Sequence, residues 1–496
     1  MRAVVLGGSV SGLGAGLALS RAGHDVVLVE QDATPLPPDP VEAFFSWDRH
    51  GAPQVWHSHA FLARLRNLLR ERAPDILEAL LAAGANEIRF GENLPPELQP
   101  YEPDPSDEDL VLLACRRITF EWVLRKQVLA LPHVAWHGGV SCRGLVAKPD
   151  PDSGLPTVTG VRVETADGAR KVLDADVVVD ATGRRSALPQ WLEEIGAQAP
   201  EEEREDCGIF YTSRFYRLRD GERPPGAAAL VAMDLGYLKY AVFPGDAGIF
   251  SVTLAASKDD APLRRMMQPE SFERALAALP PVQDWVQPAR SEPITEVRNI
   301  AALQNRRRRF VRDGRPLALG VHAVGDAAVC QNPMYGRGCS LCMVHAWSLA
   351  DVLDEHAGDP YAAALAFDAV TRRELDPWYE AAVMSDRDAR EVAAAQRRGD
   401  PSSLDDKPDP SAPVDPRAFM RSVIQEGLFP AMTLDLVVLR AVVRAVNLLD
   451  PPQSLMGNPD VIGRVLAVWR DREKRERRQQ ELGPQRDEML RILDAA

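Results

Sequence analysis

The first thirty residues constrain this chain more than any other stretch. They read MRAVVLGGSVSGLGAGLALSRAGHDVVLVE, with an apolar run at residues 3–6, glycines crowded between Gly7 and Gly16, a helical apolar pattern to residue 22, and a second apolar run ending in Glu30. That order predicts a strand, a tight turn, a helix and a second strand. In a dinucleotide-binding fingerprint the first glycine makes the turn, the second lets the backbone approach a pyrophosphate, and the third lets helix and strand pack closely. Gly7, Ser9 and Gly12 hold those places, so Ser9 departs from the plain glycine pattern. The turn Gly7, Gly8, Ser9, Val10, Ser11, Gly12 would bring free backbone N–H groups and a helix N-terminus against an anion. Glu30, followed by Gln31, falls where an acidic residue accepts hydrogen bonds from an adenosine ribose.

A second stretch far along the chain asks for the same ligand. An apolar strand at residues 316–324 runs into GDAAVCQNPMYGRG and then a helix from about residue 339. Asp326, after Gly325, can accept hydrogen bonds from a ribityl chain, and Pro333 fixes the turn that follows. The Gly336, Arg337, Gly338 turn would set backbone N–H groups and a helix start against a flavin ring.

Length and charge narrow the rest. The 496 residues allow two or three folded units, and the formal charge of −14 argues against nucleic acid or an anionic membrane as the main partner. No run approaches the roughly 20 apolar residues of a membrane span. A first strand starting at residue 2 or 3 leaves no room for a leader, so a cytoplasmic protein is expected. The six cysteines show no paired framework, and Cys339 and Cys342 read as small buried side chains rather than as a redox or metal pair. No metal site is expected. The basic run NRRRRF at residues 305–310 reads as a solvated strand end, in preference to a contact with a nicotinamide phosphate or a substrate anion.

Proline-rich and acidic breaks divide the chain into a discontinuous cofactor domain (1–75, 110–190 and 295–395), a substrate domain (76–109 and 191–294), a linker (396–416) and a C-terminal helical region (417–496). Residues 61–83 and 119–130 have helical patterns, and residues 158–172 read as a hairpin turning at Asp167 and Gly168. Residues 207–254 alternate like a sheet with one wet face. Tyr211, Phe215, Tyr237 and Tyr240 in that sheet are candidates to line an apolar substrate pocket, although ordinary sheet packing is favoured for any one of them. The C-terminal region, with an amphipathic stretch at residues 482–493, would cap a substrate mouth or form a homodimer contact.

The motifs GGSVSG with Glu30, ACRRITFEWVLR, VVVDATGRRS and GDAAVCQNPMYGRG occur in one order, in which the chain resembles the FAD monooxygenases with the para-hydroxybenzoate hydroxylase fold. Within them GAPQVWHSHAFLARL, DATGRRSALPQWLEEIGA and NPMYGRG look like actinobacterial polyether-type epoxidases. The resemblance spans roughly residues 1–385 and, more weakly, the NLLDPP region. It implies an α/β fold: a Rossmann-like FAD-binding domain, an inserted mixed β-sheet substrate domain and a C-terminal helical region. It implies that Arg117 contacts the cofactor, with Arg116 as the alternative register. It also places Arg49, His50, His57, His59 and Asn332 near the flavin ring, against the plainer reading of residues 47–59 as a surface loop. The implied reaction inserts one atom of O2 into a largely apolar natural-product intermediate by way of a flavin peroxide, with NADH or NADPH supplying electrons directly or through a separate flavin reductase. DATGR stands where direct nicotinamide users carry an aspartate-glycine motif, and it is shared with reductases that saturate isoprenoid double bonds, the alternative activity. The chain lacks the WxWxIP segment expected of a flavin halogenase. A flavin-binding protein without turnover is the reading from outside enzymology.

Overall fold

The structure, a computed structural model, describes residues 1–49, 51–92, 94, 96–225, 231–399, 416–471, 473 and 482–494. His50 lies outside them.

Its centre is a five-stranded parallel sheet in the order Val321–Ala323, Val177–Asp180, Arg2–Leu6, Asp25–Glu30, Val134–Gly138. Successive side chains of a strand point to opposite faces. Ala3, Val5, Val26, Leu28, Val177 and Val179 therefore join one core with the helices Val10–Arg21, Arg117–Leu129 and Gly338–Glu355. Val4, Leu6, Val27, Val29 and Val178 join another under the antiparallel strands Val140–Pro149, Pro156–Thr165 and Arg170–Asp174. Burial on both faces is why these strands read as unbroken apolar runs.

The second sheet is antiparallel around Ile209–Leu218, Ile249–Ser257 and Leu238–Pro244, with Val231–Asp234, Ser291–Pro293 and Arg298–Ile300 at its edges. Thr212 pairs with Leu254, and Leu254 with Tyr240, so these residues share a face with Phe210, Tyr216 and Phe250. Apart from Thr212 and Arg214 that face is apolar, and it is covered by the helices Pro269–Ala277 and Arg486–Asp494. Tyr211, Ser213, Phe215, Ser251 and Thr253 occupy the other face.

Four expectations change. The helical stretch 61–83 is two helices, Ala63–Arg72 and Pro74–Ala82, because Pro74 has no N–H to continue the ladder. The strand at 316–324 shortens to Val321–Ala323, after a left-handed Gly320 (φ 69°). The basic run is no solvated strand end: Gln304–Arg309 is the middle strand between Glu201–Asp206 and Val329–Cys330. Opposite charges face each other across it, Arg308 to Glu202 at 2.6 Å and Arg307 to Glu203 at 2.8 Å, and Arg309 reaches Asp376 at 2.6 Å. The linker does not begin at 396, because the helix Asp376–Arg398 runs through that point and ends on left-handed Gly399; residues 400–415 lie outside the described ones.

The C-terminal chain returns to the body twice. The Asn447 side-chain oxygen accepts from the Ala63 N–H at 2.9 Å, and Arg440 grips Asp107 at 2.7 and 2.9 Å. The last helix buries Met489 and Leu493 against the apolar face of the second sheet, and Arg486 pairs with Asp260 at 2.8 Å. No helix among the described residues is long and apolar enough to cross a membrane.

Candidate functional site

The fingerprint turn is built by close contacts that only glycine permits. Gly7 is left-handed (φ 98°), and a Cβ there would lie 2.7 Å from the Ala181 carbonyl oxygen. A Cβ on Gly12 would lie 1.8 Å from the Gly7 carbonyl oxygen, and one on Gly8 would lie 2.3 Å from the Trp136 ring. Ser9 is the N-cap of Val10–Arg21, yet its side chain does not cap the helix. The hydroxyl donates instead to Glu121 at 3.0 Å and accepts from Arg117 at 2.9 Å. Val10 and Ser11 open the helix behind it.

Glu121 is completely buried and gathers the positive charge of the site. Arg117 donates to it at 2.5 Å and Arg49 at 2.9 Å. Burial pushes its carboxyl up, but the two guanidiniums outweigh burial and hold it below the usual carboxylate range. Arg49 also pairs with Asp32 at 2.5 Å and lies 3.9 Å from Glu30. Glu30 accepts from the Gly8 N–H at 2.7 Å, which ties the end of the second strand to the turn, while Gln31 is exposed just beyond. The two candidate arginine registers separate cleanly. Arg117 reaches Ser9, whereas Arg116 is bidentate to Asp246 at 3.1 and 2.5 Å, between the central domain and the second sheet.

The second motif lies against the first. A Cβ on left-handed Gly325 would lie 2.6 Å from the Ser11 hydroxyl oxygen, and the Gly325 N–H donates to His345 at 3.2 Å. Burial holds the Asp326 carboxyl above its ordinary value, against the pull of Arg184, Arg306 and Arg117. The turn Pro333–Tyr335 ends on left-handed Gly336. Gly338–Glu355 then starts without a side-chain cap, and a Cβ on Gly338 would meet nothing within 4 Å. Arg337 turns aside and stacks between Tyr335 and Trp378, its centre 4.8 and 4.9 Å from their rings.

Asn332 is buried at the start of the turn Pro333–Tyr335. Its Nδ2 donates to Asp386 at 2.7 Å and its N–H to Asn305 at 2.7 Å, so it braces the loop from within. Asp386 also accepts from Asn305 at 2.7 Å and from the Tyr335 hydroxyl at 2.8 Å. This buried carboxylate was not singled out from sequence, since nothing local marks it.

His57 and His59 are brought to the junction of the two sheets. His59 donates from Nδ1 to the His57 carbonyl at 3.0 Å, and His57 Nδ1 meets the Ser213 hydroxyl at 3.2 Å. A cavity of about 10 Å³, room for one water, is lined there by His57, His59, Arg116, Arg117, Phe215 and Ser251 among others. Tyr211 joins this side, its ring edge-on to His57 at 5.0 Å. Tyr237 and Tyr240 do not. Their hydroxyls donate to the carbonyls of Pro484 and Leu482 on the opposite side, at 2.8 and 2.5 Å. The register puts Tyr240 and Tyr211 on different faces of the sheet.

Burial and nearby Arg298 lower His57 to about 4, and burial and Arg117 lower His59 to about 3; burial lowers His322 to about 4, and burial with His322 lowers His345 to about 3. Each folded value lies below the ordinary 6.5, so the stability these neutral rings contribute is complete above that pH and drains as pH falls from 6.5 through the folded values. The loss is about 1.4 kcal/mol per pH unit for each imidazole in that window. Urea unfolding at pH 7 and pH 5 is expected to show a clearly lower midpoint at pH 5; equal midpoints would mean that the rings take up protons alike in the folded and unfolded protein.

Among the described residues no group of three or more His, Cys, Asp or Glu is placed to hold a metal ion, and all six cysteines are free.

The fold is one that flavin-dependent monooxygenases and halogenases share. Solved structures similar to this chain include flavin-dependent brominase Bmp2 (TM-score 0.59, 15% identity, covering 97% of this chain and 100% of that one) and PqsL, a probable FAD-dependent monooxygenase from Pseudomonas aeruginosa (TM-score 0.55, 18% identity, 80% and 98%). OxyS anhydrotetracycline hydroxylase from Streptomyces rimosus is similar too (TM-score 0.56, 18% identity, 91% and 76%). In sequence the chain is 29% identical to Protein Rv3254 of Mycobacterium tuberculosis over 380 residues, 71% of this chain and 72% of that protein. No family model matches.

Proposed function

We propose that this protein binds FAD and uses it to place one oxygen atom from O2 on a small-molecule natural product, by epoxidation or hydroxylation. The observation that carries the reading is the meeting of two helices that start without a side-chain cap, at Val10 and Gly338, where Gly325 lies against Ser11 of the first and Cys342 of the second. The donor set fits the group. Backbone N–H groups behind the glycine turn and the Arg117 guanidinium suit a pyrophosphate, Glu30 suits a ribose, Asp326 suits a ribityl chain, and the open space before Gly338 suits the ring end. Bound FAD would supply the redox chemistry and the activation of O2. NADH or NADPH would supply the electrons, directly or through a separate reductase.

The protein's own contribution is position and exclusion of water. The second sheet, most of it within residues 191–294, would form the substrate side, with Phe215 as an apolar wall at the cavity and Tyr211 beside His57. Neutral His57 and His59 add hydrogen-bonding capacity without charge. The likeness to monooxygenases such as OxyS supports oxygenation, and saturation of an isoprenoid double bond, the reaction also associated with DATGR, is its rival.

Asp326→Ala is expected to give folded protein that retains about tenfold less flavin, the loss of one or two hydrogen bonds to a charged group. Flavin released from purified protein by heat and measured by fluorescence decides this, and full retention would remove Asp326 from the site.

A further inference from the structure

Of the buried arginines among the described residues, Arg49, Arg66, Arg116, Arg117 and Arg308 each bond to a carboxylate at 2.5 to 2.7 Å, and Arg125 donates to the Thr34 carbonyl at 3.2 Å. Arg337, only part-exposed, has no such partner. Its Nε and Nη1 are buried and bond to no described residue. Its guanidinium lies between two rings instead, 4.8 Å from the centre of Tyr335 and 4.9 Å from that of Trp378. Rings on both sides favour the charge, but they leave the N–H donors at the guanidinium edge unpaired, which is costly away from water. Burial pulls Arg337 down to about 10, with Tyr335 and Asp386 pulling the other way. The two rings are fixed in place. The Tyr335 hydroxyl donates to Asp386, itself held by Asn305 and Asn332, and Trp378 is 8% exposed. The surroundings are apolar and leave room. Trp378 packs in a cluster with Leu62, Leu341 and Leu448, with Ala60 against it. A Cβ on Gly336 would come no closer than 3.7 Å to Ala60, and one on Gly338 would meet nothing within 4 Å, so both chain neighbours of Arg337 border space. Met334, on the same turn, packs with Ile209 and Tyr211 of the second sheet, so this turn reaches the substrate side.

We propose that Arg337 anchors the carboxylate of an apolar acid, the substrate of this site. The proposal rests on the oxygenase reading above and adds the substrate class to it. A carboxylate is planar and accepts two parallel N–H bonds from a guanidinium edge, the part of Arg337 that the rings leave open. A single charge is what the place balances. The charged group that acts on Arg337 is Asp386, already engaged by Tyr335, Asn305 and Asn332, and no second arginine or lysine stands by to meet a dianionic phosphate. In a chain of net charge −14 an anion is drawn in only where a cation is locally unpaired. The hydrocarbon body of the acid suits the apolar surroundings of Trp378 and Ala60. Holding one end of the substrate at Arg337 fixes which of its carbons reaches the ring end of the site beside Gly338.

The test titrates FAD-loaded protein with octanoate and, separately, with octanamide in a calorimeter near neutral pH. The wild type is expected to bind the acid at least about tenfold more tightly than the amide, as a charge-assisted pair requires. Arg337→Met keeps an unbranched side chain between the rings and removes the charge, so it is expected to bind the two alike. Arg337→Lys keeps a point charge without the fork and is expected to fall between. Flavin content and urea midpoint are read on every sample. A wild type with no preference for the acid overturns the proposal, and so does a folded Met variant that keeps the preference. A folded Met variant that sheds its flavin overturns it too, by assigning Arg337 to the cofactor. Should the Met substitution fail to fold, the Lys variant decides, and a preference as large as the wild type's overturns the assignment. Any of these results, with wild-type protein that holds flavin and consumes O2, leaves the oxygenase reading intact. Wild-type protein that never takes up flavin defeats that reading instead.

Discussion

Replacing Gly12 by valine is expected to cost the folded protein about 3 kcal/mol or more and to lower its affinity for FAD on the order of 100-fold. The cause is a single contact. The first side-chain atom at this position would lie 1.8 Å from the Gly7 carbonyl oxygen, and its neighbour there is backbone that cannot swing aside. The turn must open, and the N–H groups at the start of Val10–Arg21 then lose their common direction. Gly12→Ala carries the same first atom and is expected to fail in the same sense. Gly23→Ala is the control. Gly23 is left-handed (φ 85°), which Gly12 is not, but a Cβ there meets nothing within 4 Å. It should cost about 1–2 kcal/mol of backbone strain and leave flavin binding unchanged. Fluorescence titration of apoprotein with FAD separates the two, and equal affinities for Gly12→Ala and wild type would mean that the turn is not the binding element.

Glu121→Ala is expected to destabilise the apoprotein by about 3–5 kcal/mol, the penalty for leaving buried charge without its partner. Arg117 and Arg49 are 4% and 3% exposed, and Glu121 is the carboxylate they share. A pyrophosphate at the fingerprint turn would restore a partner to at least one of them. Saturating FAD is therefore expected to stabilise the variant by more than it stabilises the wild type, as linkage requires of a ligand that binds the folded state more tightly. Urea unfolding with and without FAD reads both quantities. A variant as stable as the wild type, or one that FAD rescues no better, would dismiss the shared-carboxylate account.

The elements of the central sheet were legible because local signals overlap there. Apolar runs, glycines at turn positions and an acidic strand end all agree for residues 3–30 and again around Asp326. Glu121 was within reach of the same reasoning, as it lies four residues after Arg117 on one helix face. What stayed hidden depends on pairing between distant segments. The run at 305–310 looked solvated because its acidic partner strand lies about a hundred residues earlier, and only the pairing of Glu202 with Arg308 reveals an ion ladder. Alternation within a strand could not assign Tyr211 and Tyr240 to opposite faces. That assignment needs the register Thr212 to Leu254 to Tyr240. The bond of Asn332 to Asp386 was out of reach for the same reason, because Asp386 is 54 positions away on another element.

The central claim, a flavin site that works on O2, is tested most directly by reducing FAD-loaded protein anaerobically with NADH, NADPH or dithionite and mixing it with oxygenated buffer while the flavin spectrum is followed. The account predicts rapid reoxidation through a transient absorbance that belongs to neither the reduced nor the oxidised flavin. Reduction by a nicotinamide would make the protein self-sufficient, and reduction by dithionite alone would assign the electrons to a separate reductase. Slow reoxidation with no transient, by either route, would contradict the oxygenase account and leave the double-bond reductase in its place.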